Sequence, residues 1–182
     1  ANLLIHKNMT IRVISDSIII SFPLFNIPSL SEELPENDNN IVYLFGAFNF
    51  LTLFYIDMVM ELKHFIRGAI TVGQHHDVEL NSENDRFIFS KALVDAYELE
   101  KKADYPRVLV SDTFLSYLQE TFPQEAIEDT FKNVIVKDFD NEKAINIYQN
   151  MDGGNNPSLF LLKIIDAFNY QVKNNQNNPK VL

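Results

Sequence analysis

The stretch TIRVISDSIIISF, residues 10–22, carries the clearest structural pattern in the chain. β-branched and apolar residues lie on both sides of the short polar run Ser15, Asp16 and Ser17, which is typical of two strands joined by a tight turn. A turn at this place puts the carboxylate of Asp16 at the tip of a β-hairpin. We therefore expect an apolar hairpin with one acidic side chain exposed at its end.

Outward from this hairpin, the chain alternates between predicted helices and strands. A loop over residues 23–40 precedes a long apolar helix, which we expect to begin at Asn40 and end near His64. The other predicted strands lie within residues 65–73, 87–89, 108–110, 132–137 and 144–148, and the other helices within residues 90–102, 114–121 and 157–173. Hairpin-paired strands interleaved with helices indicate an α+β fold.

Composition indicates one domain and excludes several classes of protein. The 182 residues include 46% hydrophobic ones, enough for a core, so we expect one domain over residues 1–173 and a disordered, Asn-rich tail over residues 174–182. A formal charge of −10 argues against binding to nucleic acid or to an anionic membrane. The absence of Cys excludes disulfides and thiolate metal sites, and we expect a cytoplasmic protein.

One segment is apolar enough to require a membrane test. Residues 42–60 approach the roughly 20 residues that a bilayer span needs. Asn49, Thr52 and Asp57 interrupt it, and an ionisable side chain inside a single span is costly. We interpret the segment as a buried core helix in preference to a transmembrane helix.

Two further polar runs invite a metal interpretation that we do not favour. His75 and His76 are adjacent, so on a strand they point to opposite faces, and a solvated hairpin tip is the preferred interpretation. Asp138 and Asp140 begin like a calcium loop, but the required Gly and closing Glu are absent.

Arg67 is a cation in the apolar run FIRGAITVG and is followed by Gly68, where a ligand could approach the backbone closely. Two interpretations are equally good. The guanidinium could bind a phosphate with two hydrogen bonds, or it could form a salt bridge with a carboxylate at the edge of the core.

Three segments, taken in order, resemble the catalytic domain of class III nucleotidyl cyclases: SDSIIISF, IRGAITVGQ and IFSKALVDAYELEKKADYPRVLVS, with a buried helix after the first. The resemblance covers roughly residues 10–112 and is closest to the pyrimidine cyclases of bacterial anti-phage (Pycsar) systems. It implies a ferredoxin-like antiparallel sheet with helices packed on it, and a homodimer with active sites at the interface. It also implies two Mg²⁺ or Mn²⁺ ions and conversion of CTP or UTP to a 3′,5′-cyclic monophosphate and pyrophosphate.

The same resemblance assigns residues to roles. Asp16 matches the second of two metal-binding catalytic carboxylates. Arg12 and Phe87 match the two base-selecting positions, and the donors of Arg12 could read the carbonyl oxygen and ring nitrogen of a pyrimidine. Binding of the triphosphate would fall to Arg67, to Arg107 or to a Lys of the partner subunit.

The chain also departs from the cyclase pattern. The first metal-binding Asp of these enzymes lies on a strand well ahead of the hairpin, and only 15 residues precede Asp16 here, so we expect that strand to be missing. Val94 and Glu98 occupy the positions of the transition-state-stabilising Asn and Arg of adenylyl and guanylyl cyclases. A catalytically degenerate cyclase-homology domain, used for dimerisation or nucleotide binding, is therefore the alternative. A third possibility is an interaction module without a nucleotide site.

Overall fold

The structure is a computed structural model, and it describes residues 9–24, 36–79, 86–147 and 157–175. These residues form an α+β fold, as the sequence predicts. The strands are β1 (Thr10–Ile14), β2 (Ser17–Ser21), β3 (Gly68–Ile70), β4 (His75–Glu79), β5 (Arg86–Ser90), β6 (Val108–Val110), β7 (Ile135–Lys137) and β8 (Lys143–Ile145). The helices are α1 (Glu36–Met60), α2 (Lys91–Glu100), α3 (Asp112–Thr121), α4 (Gln124–Phe131) and α5 (Pro157–Asn175).

The predicted first hairpin is confirmed. β1 and β2 pair antiparallel, and the last pair of the ladder, Ile14 with Ser17, leaves Ser15 and Asp16 as the two turn residues. Ser15 takes a φ of 56°, the left-handed conformation that the short connection of a right-twisted hairpin requires.

The strands form three separate sheets rather than one. β1–β2 and β4–β5 are two-stranded, and the third sheet has the order β3-β6-β8-β7. In that sheet β3 and β6 are parallel, whereas β6–β8 and β8–β7 are antiparallel. Between β3 and β6 the chain passes through β4, β5 and α2, which form the long crossover connection that parallel strands need.

The core lies between α1 and the four-stranded sheet with its helices. Phe48 of α1 contacts the rings of Phe114 and Phe131 at centroid distances of 5.4 Å. Further along α1, Tyr55 and Val59 form a second buried cluster with α5. The predicted buried core helix is therefore found, although its stretch Asn40–Met60 is also long and apolar enough to cross a membrane.

Several boundaries differ from the predictions. α1 begins at Glu36 rather than at Asn40. Strand β3 covers only Gly68–Ile70, because the preceding Phe65 and Ile66 pack against the second cluster on α1 instead of joining the sheet. Helix α4 was not predicted, since eight residues are too short to show a clear apolar period.

Two local predictions also need correction. The run His75, His76 and Asp77 lies within strand β4 and not at a hairpin tip, because it pairs along its length with β5. Helix α5 continues to Asn175, so the first two residues of the predicted disordered tail are helical. Residues 176–182 lie outside the described part of the chain.

Candidate functional site

Asp16 occupies the exposed tip of the β1–β2 hairpin, where the sequence places it. Its side chain makes no hydrogen bond or ion pair with any other residue that the structure describes. The paired strands on either side hold the turn in place. An exposed carboxylate that no donor of the described residues occupies is available to a cation.

Arg12 lies on β1 of the same hairpin, but it is not free. Its Nε donates to Oδ2 of Asp77 on β4 at 2.8 Å. The side chain of Arg12 is 30% exposed and that of Asp77 is 13% exposed. One Nη1 hydrogen points toward the carbonyl oxygen of Ile11 at 3.4 Å. The guanidinium therefore keeps part of its donor set available while Asp77 determines its orientation.

Phe87 lies on β5 and is 59% exposed. It pairs directly across the ladder with Val78, and Phe89 pairs with His76. Directly opposed side chains share a face and alternate residues switch faces, so Phe87 and Asp77 lie on opposite faces of this hairpin. The structure therefore does not bring the two predicted base-selecting residues, Arg12 and Phe87, to one face.

The alternatives for Arg67 are resolved in favour of a salt bridge. Arg67 Nε lies 3.0 Å from Oε1 of Glu100, and its Nη1 donates to the carbonyl oxygen of Ala103 at 3.2 Å. Both acceptors lie at or just beyond the carboxyl end of α2. Through these contacts Arg67, whose side chain is 48% exposed, connects the end of α2 to the start of β3.

A polar network that the sequence did not predict centres on Arg107. This side chain is only 5% exposed and immediately precedes β6. It binds Asp140 through both terminal nitrogens, and Nη1 also donates to Asp138 Oδ2 at 3.0 Å. Tyr105 donates its hydroxyl to the same Asp138 oxygen, and its ring lies under the guanidinium at 4.3 Å.

These contacts change the pKa values of the network. The hydroxyl of Tyr105 and then the backbone N–H of Phe139 lower the pKa of Asp138, and Arg107 lowers the pKa of Asp140. Burial and then the bond to Asp138 raise the pKa of Tyr105. The two carboxylates therefore remain ionised and the phenol remains neutral at neutral pH.

The network gives these residues partners other than those considered from sequence. Arg107 is buried and paired with two carboxylates. Asp138 Oδ2 and both oxygens of Asp140 face Arg107, and Asp138 Oδ1 accepts from the N–H of Phe139. The turn DFDNE could have signalled a pair of carboxylates, but nothing in the sequence connects that turn to an Arg 31 residues earlier.

The remaining chemistry is limited. Across the described ranges, no three side chains from His, Asp and Glu come together in a way that could hold a metal ion. Val94 is 59% exposed on α2, and Glu98 accepts a hydrogen bond from Lys101 at 2.8 Å. The site thus consists of Asp16 and the oriented Arg12 on one hairpin.

No family model, curated protein or solved structure matches the chain.

Proposed function

We propose that the chain forms most of the catalytic domain of a nucleotidyl cyclase that converts CTP or UTP to a 3′,5′-cyclic monophosphate and pyrophosphate as an anti-phage signal. One observation carries the proposal: Asp16 lies at the exposed tip of a hairpin that also carries Arg12, and no side chain in the described part of the chain pairs with it. A carboxylate and a cation on one hairpin suit a substrate that carries both a metal-bound phosphate and a base.

Asp77 supports the role of Arg12 in base selection. Because Nε donates to Asp77 and one Nη1 hydrogen points toward the carbonyl oxygen of Ile11, the donors of Arg12 left for a ligand are the other hydrogens of its terminal nitrogens. A planar pair of donors matches the carbonyl oxygen and the unprotonated ring nitrogen of cytosine, and it can also bind a uracil carbonyl.

Asp16 by itself does not satisfy the two Mg²⁺ or Mn²⁺ ions that the resemblance implies. One carboxylate cannot hold two divalent cations against their mutual repulsion, and the described residues contain no group of three or more acids and histidines that could hold a metal ion. The proposal therefore requires a second carboxylate from sequence outside the described residues or from another subunit.

The sheet has a place for an additional strand. β3 pairs with β6 on one side, and within the described ranges no strand pairs with its other side. The β1–β2 sheet likewise has open edges in this part of the chain. An unpaired edge offers a row of backbone donors and acceptors. A strand that pairs with one of these edges could carry the second carboxylate.

A homodimer is part of the same proposal. The outward face of β4–β5 exposes Val78, Phe87 and Phe89, which are 48%, 59% and 66% accessible. Adjacent exposed apolar side chains of this size are typical of an interaction surface. Since Phe87 and Arg12 lie on opposite faces, Phe87 would contact a nucleotide bound by the other subunit and not by its own.

The alternative is a degenerate cyclase-homology domain that binds nucleotide without turnover. The observation that favours it is the composition of α2, where an exposed Val94 and a Lys-paired Glu98 stand in place of polar transition-state contacts. Neither side chain can donate a hydrogen bond to a developing negative charge.

The decisive experiment incubates the complete natural protein that contains this sequence with each ribonucleoside triphosphate and Mn²⁺. We expect mass spectrometry to show cyclic CMP or cyclic UMP. Asp16→Asn should reduce turnover by at least about 100-fold, because a catalytic metal ligand is lost. Asp104→Asn, a change at another exposed carboxylate, is the matched control and should retain activity.

The outcomes separate the hypotheses. Nucleotide binding without product from any triphosphate would favour the degenerate domain. Full turnover by Asp16→Asn would remove Asp16 from the mechanism. If the folded protein shows no nucleotide binding and no turnover, the interaction module becomes the better description.

A further inference from the structure

A groove of about 500 Å³ lies on the side of the molecule formed by α3, α4 and the β7–β8 hairpin. Its volume is in the range of small-molecule sites. Six of its eleven lining residues are apolar, and they come from both helices and from β7: Leu115, Leu118, Ile127, Phe131, Ile135 and Val136. Val136 lies between Ile135 and Lys137 in the ladder, so its side chain points to the other face of the sheet. Leu118 and Phe131 are fully buried beneath the groove, so its floor belongs to the main core. It contains neither Asp16 nor Arg12.

Basic side chains surround this apolar floor. Lys132, Lys137 and Lys143 all line the groove, although the whole chain has a formal charge of −10. Lys137 and Lys143 are directly paired across the β7–β8 ladder, so their side chains leave the same face of the sheet. Like charges in directly opposed positions are unfavourable unless an anion lies between them.

These lysines are only weakly neutralised by the protein. Lys132 and Lys137 make no ion pair with any carboxylate in the described ranges. Lys143 Nζ lies 3.4 Å from Oδ1 of Asp112, whose side chain is 94% exposed. The acidic side chain in the lining, Glu128, accepts a hydrogen bond from Gln124 at 2.7 Å.

We propose that this groove binds a single-chain anionic amphiphile, with an apolar tail of the fatty-acid type and a carboxylate or phosphate head. The tail would cover the apolar floor, and the head would lie between the lysines of the β7–β8 hairpin and Lys132. Burial of the tail supplies affinity in proportion to the apolar area removed from water. The lysines select an anionic head over a neutral one. This inference does not depend on the proposed cyclase activity.

The first test titrates the ¹⁵N-labelled chain with decanoate below its micelle concentration and follows amide chemical shifts. We expect saturable shifts confined to α3, α4, β7 and β8, and weaker binding as salt concentration rises. Decanol has the same tail without the charge, so it should bind at least about fivefold more weakly. Equal binding of decanol and decanoate would overturn the assignment of the lysines, and shifts scattered over the surface would overturn the site.

The second test uses two double variants. Lys132→Gln with Lys137→Gln should weaken decanoate binding about five- to tenfold. Lys102→Gln with Lys173→Gln removes the same charge from lysines near the ends of other helices and should leave binding unchanged. Equal weakening by both pairs would show a nonspecific effect of net charge and would overturn the proposal.

A vesicle arm distinguishes the source of the head group. We expect the chain to bind monomeric decanoate and not to sediment with vesicles of anionic phospholipid, because the acidic surface repels them. Sedimentation with vesicles and no binding of monomeric decanoate would overturn the proposal in favour of a membrane contact.

Discussion

Arg107 connects three separate parts of the fold. It joins the start of β6 to the turn between β7 and β8, and its backbone oxygen accepts a hydrogen bond from Gly68 of β3 at 3.0 Å. Its Nε is buried and has no hydrogen-bond partner among the residues that the structure describes, so the side chain is held by its terminal nitrogens. A buried cation of this kind is costly unless both of its carboxylates are present.

We therefore expect Arg107→Leu to lower the free energy of unfolding, because two neighbouring carboxylates lose their partner, and to lower it by more than the loss of an exposed pair. Urea denaturation followed by circular dichroism measures the loss. Arg67→Leu is the matched control, since Arg67 also pairs with a carboxylate but is half exposed, and it should cost less than about 1 kcal/mol. Equal losses for the two variants would contradict this account.

The same network predicts a pH dependence. Asp138 and Asp140 have lowered pKa values in the folded chain, so the unfolded chain binds protons more readily. Their contribution to stability is complete above the unfolded carboxyl pKa of about 4 and is lost as pH falls through the lower folded values. The urea midpoint should therefore fall between about pH 5 and pH 3. Arg107→Leu should make that fall shallower, and an unchanged slope would contradict the assignment.

At the scale of the elements, the stability of the β1–β2 hairpin depends on the conformation of its turn. Ser15 has a φ of 56°, where a side chain is strained and Gly is not. We expect Ser15→Gly to raise the free energy of unfolding by about 0.5–1 kcal/mol. Ser17→Gly, two residues on and within β2, should lower it instead, because Gly weakens a strand. Thermal denaturation of both variants checks the opposite signs, and a loss in both would contradict the turn geometry.

At the scale of the whole molecule, the salt bridge between Arg12 and Asp77 connects two sheets whose residues lie 65 positions apart. We expect a coupling energy of about 1 kcal/mol between Arg12→Gln and Asp77→Asn in a double-mutant cycle by urea denaturation, since the pair is partly buried. Additive losses would show that the two hairpins are not held together by this contact.

The local structure near residue 10 was predictable, and so was the start of α3, whereas the start of α1 expected at Asn40 was wrong. The β1–β2 hairpin follows from β-branched runs around a polar turn, and Ser111 caps α3 by accepting from the N–H of Phe114, as expected from its position. Both features depend on interactions within a few residues, which a single sequence contains.

The candidate site was predictable only in part. The exposure of Asp16 follows from the local pattern of the turn. The partners of Arg12, Arg67 and Arg107 do not, because each guanidinium binds carboxylates that lie 31 to 65 residues away in sequence. The length of β3 was also not predictable, since it depends on whether Phe65 packs on α1 or joins the sheet.

The sequence by itself determined the α+β class, the apolar helix α1 and the acid at the tip of the first hairpin, because periodicity and turn chemistry are local properties. The tertiary structure alone decided that Phe87 faces away from Arg12, that the strands form three sheets, and that three lysines surround one apolar groove. The physical reason is that these outcomes depend on which distant segments bury each other's surface, and many pairings are compatible with the same local pattern.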